Sequence, residues 1–405
     1  MQGTTRTVGL LHAGGAVADW PAGGVMATSI GILVGEATAD RGQDWAEIWD
    51  NCFALALEEA VSAGRVEQPI ELVARTVEGL PTGSQHAVVQ AWKELRSEGV
   101  LAVLGPSNAD NGMAVLPTAN AGHTTTILFG CSERLASEWT FSVPWGAAPE
   151  DAFLAMDWAR RQGHRRVALL WDTAWHGEEW VAYARLAADR FAMEIVGDAR
   201  IPSLVMGDDA RAAQLERART GIERLRRLTP EALVMMTSHG AIPFATALRE
   251  VGWNVPRVIA GGSFGAARSL PELFEGWVGT CQWDDANETG RRFLERYEQR
   301  YGARPRNEDM PIAVYDGCRA LLEGIALASI LTRDGVRAGL ERVKLLPAST
   351  GGPSSVLSFG PYDHRGYKGR DLSILRRQST PERAGCVLEG YYGGLEGGLT
   401  SGKPS

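Results

Sequence analysis

Val100-Leu-Ala-Val-Leu-Gly-Pro-Ser107 is an apolar run of strand length, stopped by a Gly-Pro turn and followed by polar residues. A short, wholly apolar run suits a strand buried on both faces, as in a parallel sheet. Working outward, strand and helix patterns alternate on both sides of it. Upstream, residues 7–12 read as the first strand, 13–24 as a Gly-rich loop and 48–63 as a helix. Residues 70–75 then read as a strand and 84–98 as a helix. Downstream, a short helix follows Asp110, and 125–129 reads as a strand. A second series runs helix 148–162, strand 166–171, helix 178–192, strand 194–201, helix 208–228, strand 232–236, helix 242–251 and strand 257–260. Such alternation predicts an α/β fold with parallel sheets and right-handed crossovers. Two series predict two doubly wound parallel-sheet lobes instead of one large sheet. Beyond residue 278 the pattern changes to strand 278–283, helices 288–301, 310–331 and 336–343, and strands 355–359 and 372–376 around a turn-rich hairpin. The Gly/Ser-rich stretch 393–405 reads as a disordered tail.

Composition narrows the function. The 405 residues are 44% hydrophobic and 22% charged, which excludes disordered and collagen-like classes. No run approaches the roughly 18 apolar residues that span a bilayer. With 49 acidic against 41 basic residues and a net charge of −8, nucleic acid is not an expected partner. Five cysteines without a CxxC spacing predict no metal site and at least one free thiol. Neither GxxxxGKS nor GxGxxG occurs, so no nucleotide cofactor is expected. The first six residues lead directly into an apolar run, so no signal peptide is visible, and cytoplasmic residence stays open.

The candidate site residues lie in loops after strand C-termini, where open parallel sheets bind ligands. They are Ser107 and Asn108, Ser132, Trp175 and His176, Ser238 and His239, and Ser263 and Phe264. Hydroxyls and backbone N–H groups suit a polar ligand end, and Trp175 and Phe264 an apolar body. The plainer alternative is that Ser107, Ser132 and Ser238 only cap helices. Of the thirteen tryptophans, Trp158 and Trp180 fall in helical patterns and read as core or lobe surface. Trp20, Trp145, Trp175 and Trp283 fall in loops and are ligand candidates. The arginines of 214–228 read as a solvated helix face, because Leu215, Ala218, Ile222 and Leu225 keep helical spacing. Gly261-Gly-Ser-Phe-Gly265 fits G-x-S-x-G after a strand, and Asp316 and His364 follow in hydrolase order. Against an esterase, Pro271 interrupts the segment where the elbow helix should run.

The order of motifs resembles type I periplasmic solute-binding proteins of ABC importers, the Leu/Ile/Val-binding-protein-like group. Val8-Gly-Leu-Leu11 is similar to that family's opening strand, Val100–Ser107 to its "AVLGP.S" stretch, and Trp139-Thr-Phe-Ser-Val143 to its first inter-lobe crossing. Gly163–Leu170, Arg296–Gly302 and Ala313–Asp316 resemble later elements. The resemblance implies a non-enzymatic binding protein whose two lobes, joined by three hinge crossovers, close on a small organic ligand. It places lobe one at 1–142 plus 283–346 and lobe two at 143–282 plus 347–392, with crossings near 142–145, 282–284 and 346–349. First-lobe contacts fall on Ser107 and Ser132, and second-lobe contacts on His176, His239 and Ser263. Amino-acid binders of the group set a carboxylate near the position of Ser263, and the Tyr of their "YG" pair is His176 here. Both departures point to a neutral or anionic ligand. The resemblance implies an ABC permease as partner, a monomer or weak dimer, and a periplasmic or cell-surface location. A cytoplasmic sensor of the amide-sensor type is the alternative function.

Overall fold

The computed structural model describes residues 4–8, 27–35, 44–203, 207–237, 239–260, 270–305, 308–369, 374–378, 386–392 and 399–400. Contacts divide the chain into two units, Met1–Trp145 with Asp285–Gly369, and Gly146–Asp284 with Arg370–Ser405.

In unit 1 the strands are β1 (Thr4–Val8), β2 (Thr28–Val34), β3 (Ile70–Thr76), β4 (Ala102–Leu104), β5 (Thr125–Leu128) and β6 (Thr140–Ser142), in spatial order β1-β3-β2-β4-β5-β6. The last five run parallel, while β1 is antiparallel to β3 at the edge. Helices α1 (Trp45–Ser62), α2 (Gln85–Ser97) and α3 (Ala109–Ala121) alternate with them. Side-chain caps fix the helix starts: Asp44 accepts from the Glu47 N–H and Ser84 from the Ala87 N–H. β4 and β5 are buried throughout, as strands covered on both faces must be. Leu33, Val73, Val103, Val88, Trp92 and Leu95 form a core under α2. Later in the chain, α8 (Glu288–Tyr301), α9 (Asp309–Leu327), α10 (Arg333–Leu340) and a small antiparallel sheet, β12 (Leu346–Pro347), β13 (Val356–Leu357) and β14 (Tyr367–Lys368), complete the unit.

In unit 2 the parallel strands are β7 (Arg166–Asp172), β8 (Glu194–Ile201), β9 (Ala232–Met236), β10 (Arg257–Ala260) and β11 (Val278–Cys281). They lie in the order β8-β7-β9-β10-β11, extended by antiparallel β15 (Ile374–Gln378), β16 (Cys386–Tyr392) and β17 (Leu399–Thr400). Helices α4 (Ala148–Arg161), α5 (Trp175–Phe191), α6 (Asp208–Arg227) and α7 (Ala241–Glu250) connect the parallel strands. Leu170, Ile201, Ile222, Phe244, Ile259 and Trp277 belong to one core cluster. Ala218, Ile222 and Leu225 of α6 are buried, and Arg219 pairs with Glu216 and Glu250, as the solvated-face reading expects.

The fold is therefore the expected one: two α/β units, each with five parallel strands. Three expectations need correction. The leading parallel strand is β2, which lies between β3 and β4 with partners on both sides; of the expected strand 7–12, Thr7 and Val8 belong to antiparallel β1, and 9–12 lie outside the described residues. The third chain passage between units falls after Gly369 instead of near 346–349. Residues 347–369 stay with unit 1 because Asp316 accepts the N–H groups of Ser349 and Thr350, and Tyr367 donates to the same carboxylate. Asn287 Nδ2 also donates to the carbonyls of Ala348, Thr350, Gly351 and Gly352. Finally, Leu399–Thr400, in the expected disordered tail, pairs with β16.

Candidate functional site

Each unit has a point where strand order reverses, and there the outgoing loops diverge and leave room for a ligand. In unit 1 the point lies between β2 and β4. Gly105 turns the chain at the end of β4 with φ +102, and a Cβ there would stand 2.2 Å from the Leu33 carbonyl oxygen. Ser107 and Asn108 follow. Asn108, not Ser107, caps α3, its side chain accepting from Asn111 N–H at 3.2 Å. Ser132 caps a short 3-10 turn, Glu133–Leu135, through the Arg134 N–H, so the plainer capping role holds for this serine. The two loops pack together at Gly130, where a Cβ would meet the Ala109 Cα at 2.6 Å. Trp145, just past β6, donates its indole N–H to the Ser107 carbonyl at 3.1 Å. Three adjacent strand ends thus bring Ser107, Asn108, Ser132 and Trp145 into one cluster.

In unit 2 the reversal lies between β7 and β9, and a carboxylate at the end of β7 organises it. Asp172 ends β7 fully buried. One oxygen accepts from His239 N–H at 2.8 Å and Gly240 N–H at 2.9 Å, and the other from Ala174 N–H at 3.4 Å. The carboxylate therefore joins the ends of β7 and β9. Trp175, the first residue of α5, is 38% exposed, whereas His176 beside it is only 5% exposed and meets Trp180 edge-on at 5.1 Å. Burial pushes the His176 imidazolium down to about 4, against the pull of Asp172 and helped by His239. At neutral pH His176 is an uncharged hydrogen-bonding group and offers an anion no positive charge. His239 Nδ1 lies 3.3 Å from Ser203 Oγ. Trp283, after β11, is half-buried, and its carbonyl accepts from Cys281 Sγ at 3.7 Å. Trp20, Ser238, Ser263 and Phe264 lie outside the described residues.

Ser263 lies outside the described residues, and Asp316 and His364 do not form the pair that a hydrolase needs. His364 stacks on Phe141 at 3.9 Å, with Nδ1 at 2.5 Å from the Ser137 carbonyl and Nε2 at 3.3 Å from Glu341. Asp316 is bound instead by backbone N–H groups, Tyr367 and Arg319. Neither group serves the other. Among the described residues no cluster of His, Cys, Asp and Glu could hold a metal, and no helix is long and apolar enough to cross a membrane.

A family model described as periplasmic binding protein matches residues 28–374, beginning at β2. The chain belongs to that family. Solved structures of similar fold include a periplasmic binding protein type 1 from Bordetella pertussis. An ABC transporter substrate-binding protein from Desulfitobacterium hafniense, in complex with Leu, is 16% identical, with a TM-score of 0.68 over 90% of this chain and 100% of its own. A leucine-binding protein from Thermotoga maritima is 14% identical, with a TM-score of 0.70 over 91% and 99%. An ABC transporter solute-binding protein from Rhodopseudomonas palustris, in complex with 3,4-dihydroxy benzoic acid, is 16% identical, with a TM-score of 0.66 over 87% and 93%. No curated protein sequence matches the chain.

Proposed function

We propose that this binding protein serves an ABC-type importer at the periplasmic or cell-surface face. It captures a small organic ligand that is neutral or anionic and partly apolar or aromatic. Loops of both units, at the carboxyl ends of their parallel strands, engage one ligand, and capture draws the units together by hinge motion. The Ser107 and Ser132 loops, with Ser238, His239 and Ser263, take its polar end, while Trp175, Phe264, Trp20 and Trp283 flank its body.

The observation that carries the ligand class is the engagement of Asp172. A buried ammonium needs an opposing charge, because an unpaired buried cation is heavily penalised by desolvation. Asp172 is the buried carboxylate that ends β7 just before Trp175 and His176, and both its oxygens already accept backbone N–H groups. Glu178 is exposed, where water screens a charge pair to about 1 kcal/mol or less. Ser263 stands where the family's amino-acid binders set their acid. Lacking that partner costs an ammonium about 2–5 kcal/mol, or roughly 30- to 5,000-fold in affinity. Among similar folds, one relative holds leucine and another an aromatic acid; the groups of this chain favour the second class.

A thermal-shift panel tests the reading, with leucine, isoleucine, valine and phenylalanine set against amides, aromatic acids and neutral organics. A ligand at 100 times its Kd adds about 2.7 kcal/mol of stability. The expected hits lack an ammonium. Micromolar binding of leucine or valine overturns the ligand class.

A further inference from the structure

Unit 2 carries a second groove at the amino end of its sheet, opposite the loops that follow β7 and β9. It encloses about 410 Å³ between the end of α4 and the segments entering β7, β10 and β11. The seven residues of β7 alone separate the two ends by about 20 Å. Arg257 opens β10 in its wall, its guanidinium carbon 5.0 Å from the centroid of the buried Trp277 ring. Arg160, Arg161, Arg166 and Arg219 of the same unit all have carboxylate partners. Arg257 has none among the described residues, and burial lowers its pKa because the cation is partly stripped of water. Trp158, also in the wall, is buried with an indole N–H that meets no acceptor among the described residues. A half-buried guanidinium without an anion is a costly arrangement that a bound anion relieves.

We propose that this groove binds a small organic monocarboxylate, its carboxylate on Arg257 and its apolar body against Trp158, Val255 and Pro256. The volume suits a small molecule. Gln162 and Asn254 add hydrogen-bonding groups at the wall. The exposed carboxylate of Glu275, also lining the groove, opposes a second negative charge and so selects a monoanion over a phosphate dianion. The site is independent of the ligand proposed for the strand-end loops.

Titration calorimetry with cyclohexanecarboxylate, its neutral carboxamide and inorganic phosphate tests the proposal on the whole chain. The carboxylate is expected to bind at least about tenfold tighter than the carboxamide, as a charge-assisted hydrogen bond requires. Arg257→Gln should remove that difference, and Arg257→Lys should retain part of it. Glu275→Gln should tighten the carboxylate but not the carboxamide, and this exposed position keeps the test valid if Arg257→Gln does not fold. Equal affinity for carboxylate and carboxamide overturns the proposal, as does no carboxylate binding up to about 10 mM. Carboxylate binding lost in Trp175→Ala but kept in Arg257→Gln assigns the probe to the strand-end loops, and also overturns it.

Discussion

Replacing the Asp172 carboxylate by an amide leaves the buried N–H groups of Ala174, His239 and Gly240 facing a weaker acceptor and introduces a competing donor. Hydrogen bonds to a charged group are worth about 1.5–3 kcal/mol, so Asp172→Asn should lose about 2–3 kcal/mol in urea denaturation. A loss below about 0.5 kcal/mol would mean that the carboxylate is not what joins the two strand ends. His176 adds a pH dependence whose sign follows from its environment. Its folded pKa is lowered from 6.5 to about 4, so between those values the unfolded chain binds the proton first. Stability from this group is present above pH 6.5 and falls, by about 3 kcal/mol, as pH drops to about 4. His176→Gln should flatten that part of the stability profile relative to the parent protein; parallel profiles would refute the buried neutral imidazole. The strand-end positions of Ser107, Asn108 and Ser132 were legible in the sequence, whereas Trp175 and His176 open α5 instead of lying in the loop before it. That Asn108 rather than Ser107 caps α3, or that Asp172 is engaged by backbone, was not legible, because both depend on which strand ends lie side by side.

At the scale of elements, the strands and helices of unit 2 read closely from the sequence. Residues 194–201, 232–236 and 257–260 are strands with the expected bounds. Of these, 232–236 and 257–260 are short, mainly apolar runs ended by polar or Gly residues, while 194–201, with Gly197, Asp198 and Arg200 inside it, is set by its place between two helical patterns. The start of unit 1 misled. In sequence, residues 7–12 and Thr28-Ser-Ile-Gly-Ile-Leu-Val34 both suit a strand, and only pairing shows that Thr7 and Val8 belong to the edge strand β1 and Thr28–Val34 to the centre. The difference has a measurable consequence. Ile32, buried in β2 and paired in register with β3 and β4, should not tolerate a charge, and Ile32→Asp should yield no cooperatively folded protein. Deleting the antiparallel edge strand β1 should lower Tm by about 5 °C or less. The reverse ranking would place β1 in the folding core. Gly105→Ala tests the strand-end geometry itself: the left-handed φ and the 2.2 Å approach to Leu33 predict a loss of at least about 2 kcal/mol.

For the molecule as a whole, the proposed capture of one ligand by loops of both units carries a prediction about shape. A ligand with higher affinity for a closed arrangement shifts the population toward it, by no more than that differential affinity. Small-angle scattering should then show a smaller radius of gyration at saturation, and an unchanged radius with confirmed binding would count against hinge capture. Trp175→Ala should weaken the same ligand by about 1–3 kcal/mol through lost apolar burial, read by calorimetry. The most direct measurement is native mass spectrometry of freshly purified protein, since a tightly held ligand survives purification. The account predicts one organic adduct per chain, without a primary ammonium, that diminishes in Trp175→Ala. An adduct with the mass of leucine, valine or another free α-amino acid would contradict it.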